Sequence, residues 1–79
     1  MSETIELNQL LKLETRLEMA QRHVSEGRTL VERHRAFIAK LRAAGRPTHR
    51  AEALLESCER SLQIFEDDLA VVLRKSSSS

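Results

Sequence analysis

A long, unbroken heptad repeat of apolar side chains constrains this chain more than any other feature. From residue 10 to residue 45, apolar or small residues recur alternately three and four positions apart without losing phase. Heptad position a holds Leu10, Leu17, Val24, Val31 and Ile38, and position d holds Leu13, Ala20, Gly27, His34 and Leu41. This spacing is typical of a long amphipathic helix that packs one apolar stripe against a partner helix. The sequence therefore predicts an all-α fold.

A short turn separates this repeat from a second one. Gly45 stands where a helix end favours a left-handed residue, Pro47 disfavours helix at the residue before it, and Thr48 can cap the next helix. The second repeat follows in unbroken heptad phase as Ala51, Leu55, Cys58, Leu62, Phe65, Leu69 and Val72. Because the turn is short, the two helices are predicted to form an antiparallel hairpin.

The predicted boundaries give one domain, residues 1–75. Helix 1 covers about 7–44, the turn 45–48 and helix 2 about 49–74, and residues 76–79 form a disordered tail. Gly27 costs a helix about 1 kcal/mol relative to alanine, and a break there would give three helices. The heptad phase continues from Val24 to Val31, so one continuous helix is favoured. Folding the hairpin then places Gly27 opposite Phe65.

The two predicted helices are unequal in length. Helix 1 has about 38 residues and a length of about 57 Å, and helix 2 has about 26 residues and about 39 Å. Roughly a dozen N-terminal residues of helix 1 therefore have no partner within the chain. Five leucines in or next to this overhang are predicted to form an intermolecular interface: Leu7, Leu10, Leu11, Leu13 and Leu17.

Apolar residues also lie beside the a and d positions of both helices. Leu30, Phe37 and Ala44 widen the stripe of helix 1, and Ile64 and Val71 widen that of helix 2. Stripes of this width indicate that each helix contacts two others. A homodimer of hairpins that closes an antiparallel four-helix bundle satisfies this pattern. A complex with an unknown protein partner satisfies it as well.

Basic residues concentrate around the turn, although the net charge of the chain is only +1. Residues 33–51 include six basic residues and no acid, whereas residues 52–68 include six acids and one basic residue. Pairing of these charges across the hairpin is the favoured interpretation. The alternative is that the turn region binds an anion or nucleic acid through Lys40, Arg42, Arg46 and Arg50.

His34 and Cys58 are of residue types that bind metal ions, and the predicted pairing of the hairpin places them opposite each other. Two copies of each in a dimer would supply a tetrahedral zinc site, but no closely spaced ligand motif supports it. A half-buried histidine beside a small apolar thiol is favoured. The sequence also has no cofactor-binding or catalytic motif. We therefore expect no metal, no cofactor and no enzymatic activity.

The composition of the chain indicates the cellular compartment in which the protein is expected. The chain has 79 residues and one cysteine, and its N-terminal stretch is acidic. It has no run of about 18 or more apolar residues. These features are not those of a membrane span or a secretory signal, and a lone thiol fits a reducing compartment. A cytoplasmic protein without membrane attachment is the expectation.

A distinctive pattern of charged and apolar residues runs through residues 22–62. It reads Arg22-His23-Val24-x-Glu26-Gly27, Val31-x-Arg33-x-Arg35-x-x-Ile38-x-x-Leu41, Ala44-Gly45-x-x-Thr48-x-x-Ala51-x-x-Leu54-Leu55 and Glu59-x-x-Leu62. This pattern resembles a group of short uncharacterised bacterial helical-hairpin proteins, which carry a large apolar residue where this chain has Cys58. The resemblance implies a helical hairpin with no assigned activity.

Helical pairing without a catalytic motif favours one class of function. We expect a small, non-catalytic adaptor or regulatory module that binds other proteins and acts as a helical homodimer. The alternative is a nucleic-acid-binding protein that uses the basic residues at the tip of the hairpin.

Overall fold

Two helices packed against each other make up residues 15–77, the part of the chain that the structure, a computed structural model, describes. Helix α1 is Arg16–Ala43 and helix α2 is His49–Ser77. The helices run in opposite directions, since Arg42 near the end of α1 pairs with Glu52 near the start of α2, whereas the earlier residue Arg28 pairs with the later residue Glu66. The predicted all-α helical hairpin is confirmed.

A capping box places the start of α1 after Thr15. Thr15 has an extended backbone (φ −66°, ψ 162°), and its hydroxyl oxygen accepts a hydrogen bond from the Glu18 N–H at 3.0 Å. In return, the Thr15 N–H donates to the Glu18 carboxylate at 3.0 Å. This exchange satisfies N–H groups that have no partner within a helix. The predicted continuous helix from about residue 7 therefore does not hold across Thr15, and residues 7–14 lie outside the described part of the chain.

A Schellman motif ends α1 at the glycine of the turn. Gly45 has a φ of 67°, which glycine adopts without steric cost. The Arg46 N–H donates to the Leu41 carbonyl at 2.8 Å, the long hydrogen bond that defines this motif. Helix α2 begins after Thr48, whose carbonyl accepts the first helical hydrogen bond from the Glu52 N–H at 2.8 Å.

The described helices have nearly equal lengths. Helix α1 has 28 residues and α2 has 29, which corresponds to about 42–44 Å each. The predicted inequality depends on residues 7–14, which lie outside the described part of the chain, and it stays a prediction. Ser76 and Ser77 belong to α2 rather than to the predicted tail. Residues 78–79 lie outside the described part.

The core is a narrow strip between the two helices. Its buried members are small or β-branched: Ala20, Val24, Gly27, Val31, Ile38 and Ala51. The large apolar residues at positions a and d of α2 are only half-buried: Leu55, Leu62, Phe65, Leu69 and Val72. Two helices cover each other on one side only, so they do not enclose side chains of that size. The hairpin thus leaves apolar surface that a second layer of helices would bury.

Helix α1 continues through Gly27, where the missing side chain lets the two helices approach closely. A Cβ atom placed on Gly27 would lie 3.2 Å from Leu62 Cδ1 and 3.5 Å from Phe65 Cδ2. It would also lie 3.7 Å from the Leu62 Cα atom, which belongs to the backbone of α2. Gly27 therefore makes room for two large residues of α2, as the predicted pairing indicates.

Replacing Gly27 by leucine should lower the free energy of unfolding by about 1–3 kcal/mol, the usual cost of overpacking. Atoms beyond Cβ would meet the α2 backbone at Leu62, which cannot move aside as a side chain can. Urea unfolding followed by circular dichroism measures the change, with the protein concentration held fixed because association alters apparent stability.

Gly27→Ala is the matched control for this substitution. Its methyl group requires only a small shift of Leu62 Cδ1, and alanine removes a helix penalty of about 1 kcal/mol. The alanine variant should therefore be clearly more stable than the leucine variant. A leucine variant as stable as the alanine variant would show that the helices are not in close contact at Gly27.

Candidate interaction surface

Three ion pairs line one side of the hairpin. They are Arg28–Glu66 at 3.2 Å, Arg35–Glu59 at 3.0 Å and Arg42–Glu52 at 2.6 Å. In α2, Leu55, Leu62 and Leu69 occupy position a, and Ala51, Cys58, Phe65 and Val72 occupy position d. The arginines and the glutamates each repeat every seven residues, at heptad position e of both helices. In each pair the two residue numbers add to 94, which defines the register of the hairpin. All six side chains are more than one-third exposed, so each pair contributes up to about 1 kcal/mol.

The opposite side of the hairpin carries a strip of exposed apolar side chains, here named the apolar face. Its members are Met19, Leu30, Phe37, Leu54, Ile64 and Val71, which are between 38% and 59% exposed. Among residues 15–77, Leu73 is the other large apolar residue with comparable exposure, and it occupies position e of α2. The apolar residues are therefore concentrated on one side.

Heptad positions explain this separation of charge and apolar surface. In an antiparallel helix pair, positions e of both helices meet on one side and positions g meet on the other, with position c next to g. All six residues of the apolar face occupy position c or g. Consistent with this placement, Met19 of α1 and Val71 of α2 line the same cleft. This strip of exposed apolar side chains is the candidate interaction surface of the hairpin.

A cleft opens in the apolar face at the open end of the hairpin, which is the end away from the turn. Its volume is about 220 Å³, and its walls include Met19, Val71 and Asp68. The rings of His23 and Phe65 also line it, with their centroids 5.0 Å apart and their planes inclined by 32°. The cleft therefore offers an aromatic and aliphatic surface with the volume to receive an apolar side chain.

Exposed charges flank the apolar face unevenly. Glu26 and Asp68 lie toward the open end, whereas Arg33, Lys40 and Arg50 lie toward the turn. All five occupy position c or g, on the same side as the apolar residues. Arg16 and Lys75 are also exposed at position g, at the open end itself. The open-end half of the face therefore carries charges of both signs, whereas the half toward the turn is basic.

Most of the leucines predicted to form the interface lie outside the described residues, namely Leu7, Leu10, Leu11 and Leu13. Leu17 is described, in the first turn of α1, where it is half-buried and lines a groove together with Val72. Leu17 thus lies close to α2 of its own chain. An intermolecular role for these five leucines stays a prediction.

Sequence reasoning found part of the apolar face. Leu30, Phe37, Ile64 and Val71 were expected beside the a and d positions, whereas Met19 and Leu54 were missed. Assigning heptad letters to both helices reveals them, because arginine and glutamate pair at position e while six of the seven exposed large apolar residues occupy position c or g.

The basic residues near the turn do not form one patch. Lys40, Arg42, Arg46 and Arg50 are all exposed, but Arg42 forms an ion pair with Glu52. Arg42 also occupies position e, on the opposite side of the hairpin from Lys40 and Arg50 at position c. Binding of an anion or nucleic acid by these four residues stays a prediction.

His34 and Cys58 are both half-buried. Within residues 15–77, no three histidine, cysteine, aspartate or glutamate side chains come together as a group that could hold a metal ion. In the same part of the chain, neither helix has an apolar stretch long enough to cross a lipid bilayer.

Exchanging the charges of one ion pair should test the register of the hairpin. Glu59→Arg places a second positive charge beside Arg35 and should lower the free energy of unfolding by up to about 1 kcal/mol. Adding Arg35→Glu restores the attraction and should recover most of that loss. Urea unfolding at low and high salt measures both effects, which should shrink as salt screens exposed charges.

The control combines Glu59→Arg with Arg46→Glu, which restores the net charge through an exposed residue of the turn. This control should give no recovery, because Arg46 is not the ion-pair partner of Glu59. Equal recovery with either arginine would show that net charge, rather than the pairing of Arg35 with Glu59, sets the stability.

Comparison with known proteins gave no match to a protein-family model, to a curated protein or to a solved structure. The resemblance of residues 22–62 to short bacterial helical-hairpin proteins therefore stays a prediction.

Proposed function

We propose that this protein is a small, non-catalytic protein–protein interaction module that acts as a helical homodimer. In this dimer, the apolar faces of two hairpins pack on each other and close a four-helix bundle. The observation that carries the proposal is the concentration of exposed apolar residues on one side, with the three ion pairs on the other. Soluble monomers rarely concentrate exposed large apolar side chains on one side in this way.

The size of the apolar face supports this proposal. It extends from Met19 to the level of Leu54, which is about 30 Å along the helices, and two helices side by side are about 20 Å wide. Pairing two such faces would bury on the order of 1,200 Å² in total, the lower limit for a specific complex. The face is therefore large enough for a dimer without further contacts.

The incomplete burial of α2 supports the same arrangement. Leu62 and Phe65 contact α1 at Gly27 but remain half-buried, and Phe65 lines the cleft in the apolar face. A second hairpin on this face would cover Phe65 and bury its ring more fully. Burial of a large apolar side chain contributes roughly 1.5–3 kcal/mol.

The uneven charges around the apolar face favour a second copy of this chain as the occupant. A partner that carries the same face brings the carboxylates of Glu26 and Asp68 as well as the basic half at Arg33, Lys40 and Arg50. Such a surface can complement itself. In the dimer, the three ion pairs and the turns stay on the outer surface, where other proteins can bind in an adaptor or regulatory role.

Replacing Leu30 by aspartate should convert the dimer to a monomer. Leu30 is 47% exposed in the single hairpin, so a carboxylate there is tolerated by the monomer but would be buried without a partner in the dimer. Light scattering at two protein concentrations measures the mass, and circular dichroism checks that the helix content is retained.

Thr29→Asp is the matched control, since Thr29 is exposed at position f, away from both the core and the apolar face. It should leave the mass unchanged. A double Leu10→Asp, Leu13→Asp variant tests the leucines before Thr15 separately. A dimer that persists in the Leu30 variant but dissociates in this double variant would assign the interface to the N-terminal leucines and overturn the proposal.

A further inference from the structure

We infer that the two hairpins pair antiparallel, with a two-fold axis at the level of Leu30 and Ile64, so that Phe37 of each copy fills the cleft of the other. This inference rests on the proposed homodimer and specifies its geometry. Three features of the hairpin support it: the register of the helices, the charges around the apolar face, and the cleft lined by His23 and Phe65.

The hairpin register places Leu30 and Ile64 at the centre of the apolar face. Their residue numbers add to 94, as in the three ion pairs, so they lie at the same height. Met19 lies eleven residues from Leu30 toward the open end, and Leu54 lies ten residues from Ile64 toward the turn. A two-fold axis through the middle of the face therefore passes beside Leu30 and Ile64. Leu30 would contact the partner's Leu30, and Ile64 would contact the partner's Ile64.

Two face-to-face arrangements of the hairpins are possible, and charge distinguishes them. If both turns lie at the same end, α1 lies over the partner's α2, and Glu26 faces the partner's Asp68 at the same height. If the turns lie at opposite ends, α1 lies over the partner's α1, and Arg33 comes beside the partner's Glu26. Lys75 lies three residues in height from a basic residue of the partner in both arrangements, the partner's Arg16 in the first and the partner's Arg50 in the second, and so does not distinguish them. The contacts of Glu26 do: like charges oppose the first arrangement, and opposite charges favour the second.

Glu26 can contact the partner's Arg33 and keep the ion pair that it forms within its own helix. Arg22 donates to Glu26 at 3.2 Å, and both side chains are about half exposed. A carboxylate has two oxygens and can accept from two arginines. At an exposed rim, such contacts mainly select the orientation of the partner, while the apolar face provides the affinity.

The antiparallel axis also brings Phe37 to the cleft. A residue that follows Leu30 by some number of positions faces the partner residue that precedes Leu30 by the same number. Phe37 follows Leu30 by seven residues and therefore faces the partner's His23. The Phe37 ring is 52% exposed in the single hairpin. In the dimer it would pack against the rings of His23 and Phe65, an arrangement that aromatic side chains favour.

Disulfide cross-linking tests this geometry in a Cys58→Ala background, which removes the one native thiol. Leu30→Cys should form a covalent dimer on a non-reducing gel after equilibration in a glutathione redox buffer, because each Cys would face its own copy across the axis. Phe37→Cys alone should stay monomeric on the gel, since two copies of position 37 lie about 21 Å apart along the helices.

Combining Phe37→Cys with His23→Cys should restore the covalent dimer. The two positions are fourteen residues apart in one helix, about 21 Å, so a disulfide within one chain cannot form. Thr29→Cys, which points away from the face, serves as the control for random collisions and should not cross-link. The fold of each variant is checked by circular dichroism.

The outcomes separate this inference from the proposed function. Absence of the Leu30 cross-link in a protein that light scattering shows to be a dimer would overturn the antiparallel geometry and leave the homodimer in place. Cross-linking of Phe37→Cys alone as readily as Leu30→Cys would overturn the position of the axis. A monomer by light scattering at every concentration would overturn both the geometry and the homodimer.

Discussion

The close approach of α1 to α2 at Gly27 is the contact on which the rest of the hairpin depends. With no side chain at this position, Leu62 and Phe65 of α2 lie directly against the backbone of α1. The small residue Ala20 and the β-branched residues of position a fill the remaining strip between the helices. This packing fixes both the distance and the register of the helices, and thereby decides which side chains meet on each side of the core.

The two sides of the core then differ in what they leave for other molecules. At position e, arginines of α1 meet glutamates of α2, so that side satisfies its own charges within the chain. At positions c and g, aliphatic and aromatic residues meet no such partner and remain exposed. Exposed ion pairs add little to stability, but they make one side of the hairpin polar. The side that remains apolar is the one that another protein can bury.

Much of this fold could be predicted from heptad phase, because the phase continues through Gly27 and on both sides of Gly45. The start of α1 could not be found in this way, since the apolar repeat also continues through Thr15, where the helix does not. The signal that marks this point is local: a threonine followed three residues later by a glutamate, the capping-box pattern at Thr15 and Glu18. Heptad letters also predict on which side of the hairpin each exposed apolar residue lies. The heights at which residues of α1 meet residues of α2 required the register of the two helices, which periodicity within each helix does not supply.

The regular spacing of the ion pairs bears on how the chain avoids alternative hairpins. Because the arginines and the glutamates both repeat every seven residues, a hairpin slipped by one heptad would keep two of the three pairs, for example Arg28 with Glu59. Charge therefore discriminates weakly between these two folded forms. A slipped form would move Phe65 away from Gly27 and onto a residue with a side chain, and it would require a turn of different length. Substitution of the charged residues is thus compatible with an unchanged hairpin, whereas a large side chain at Gly27 is not.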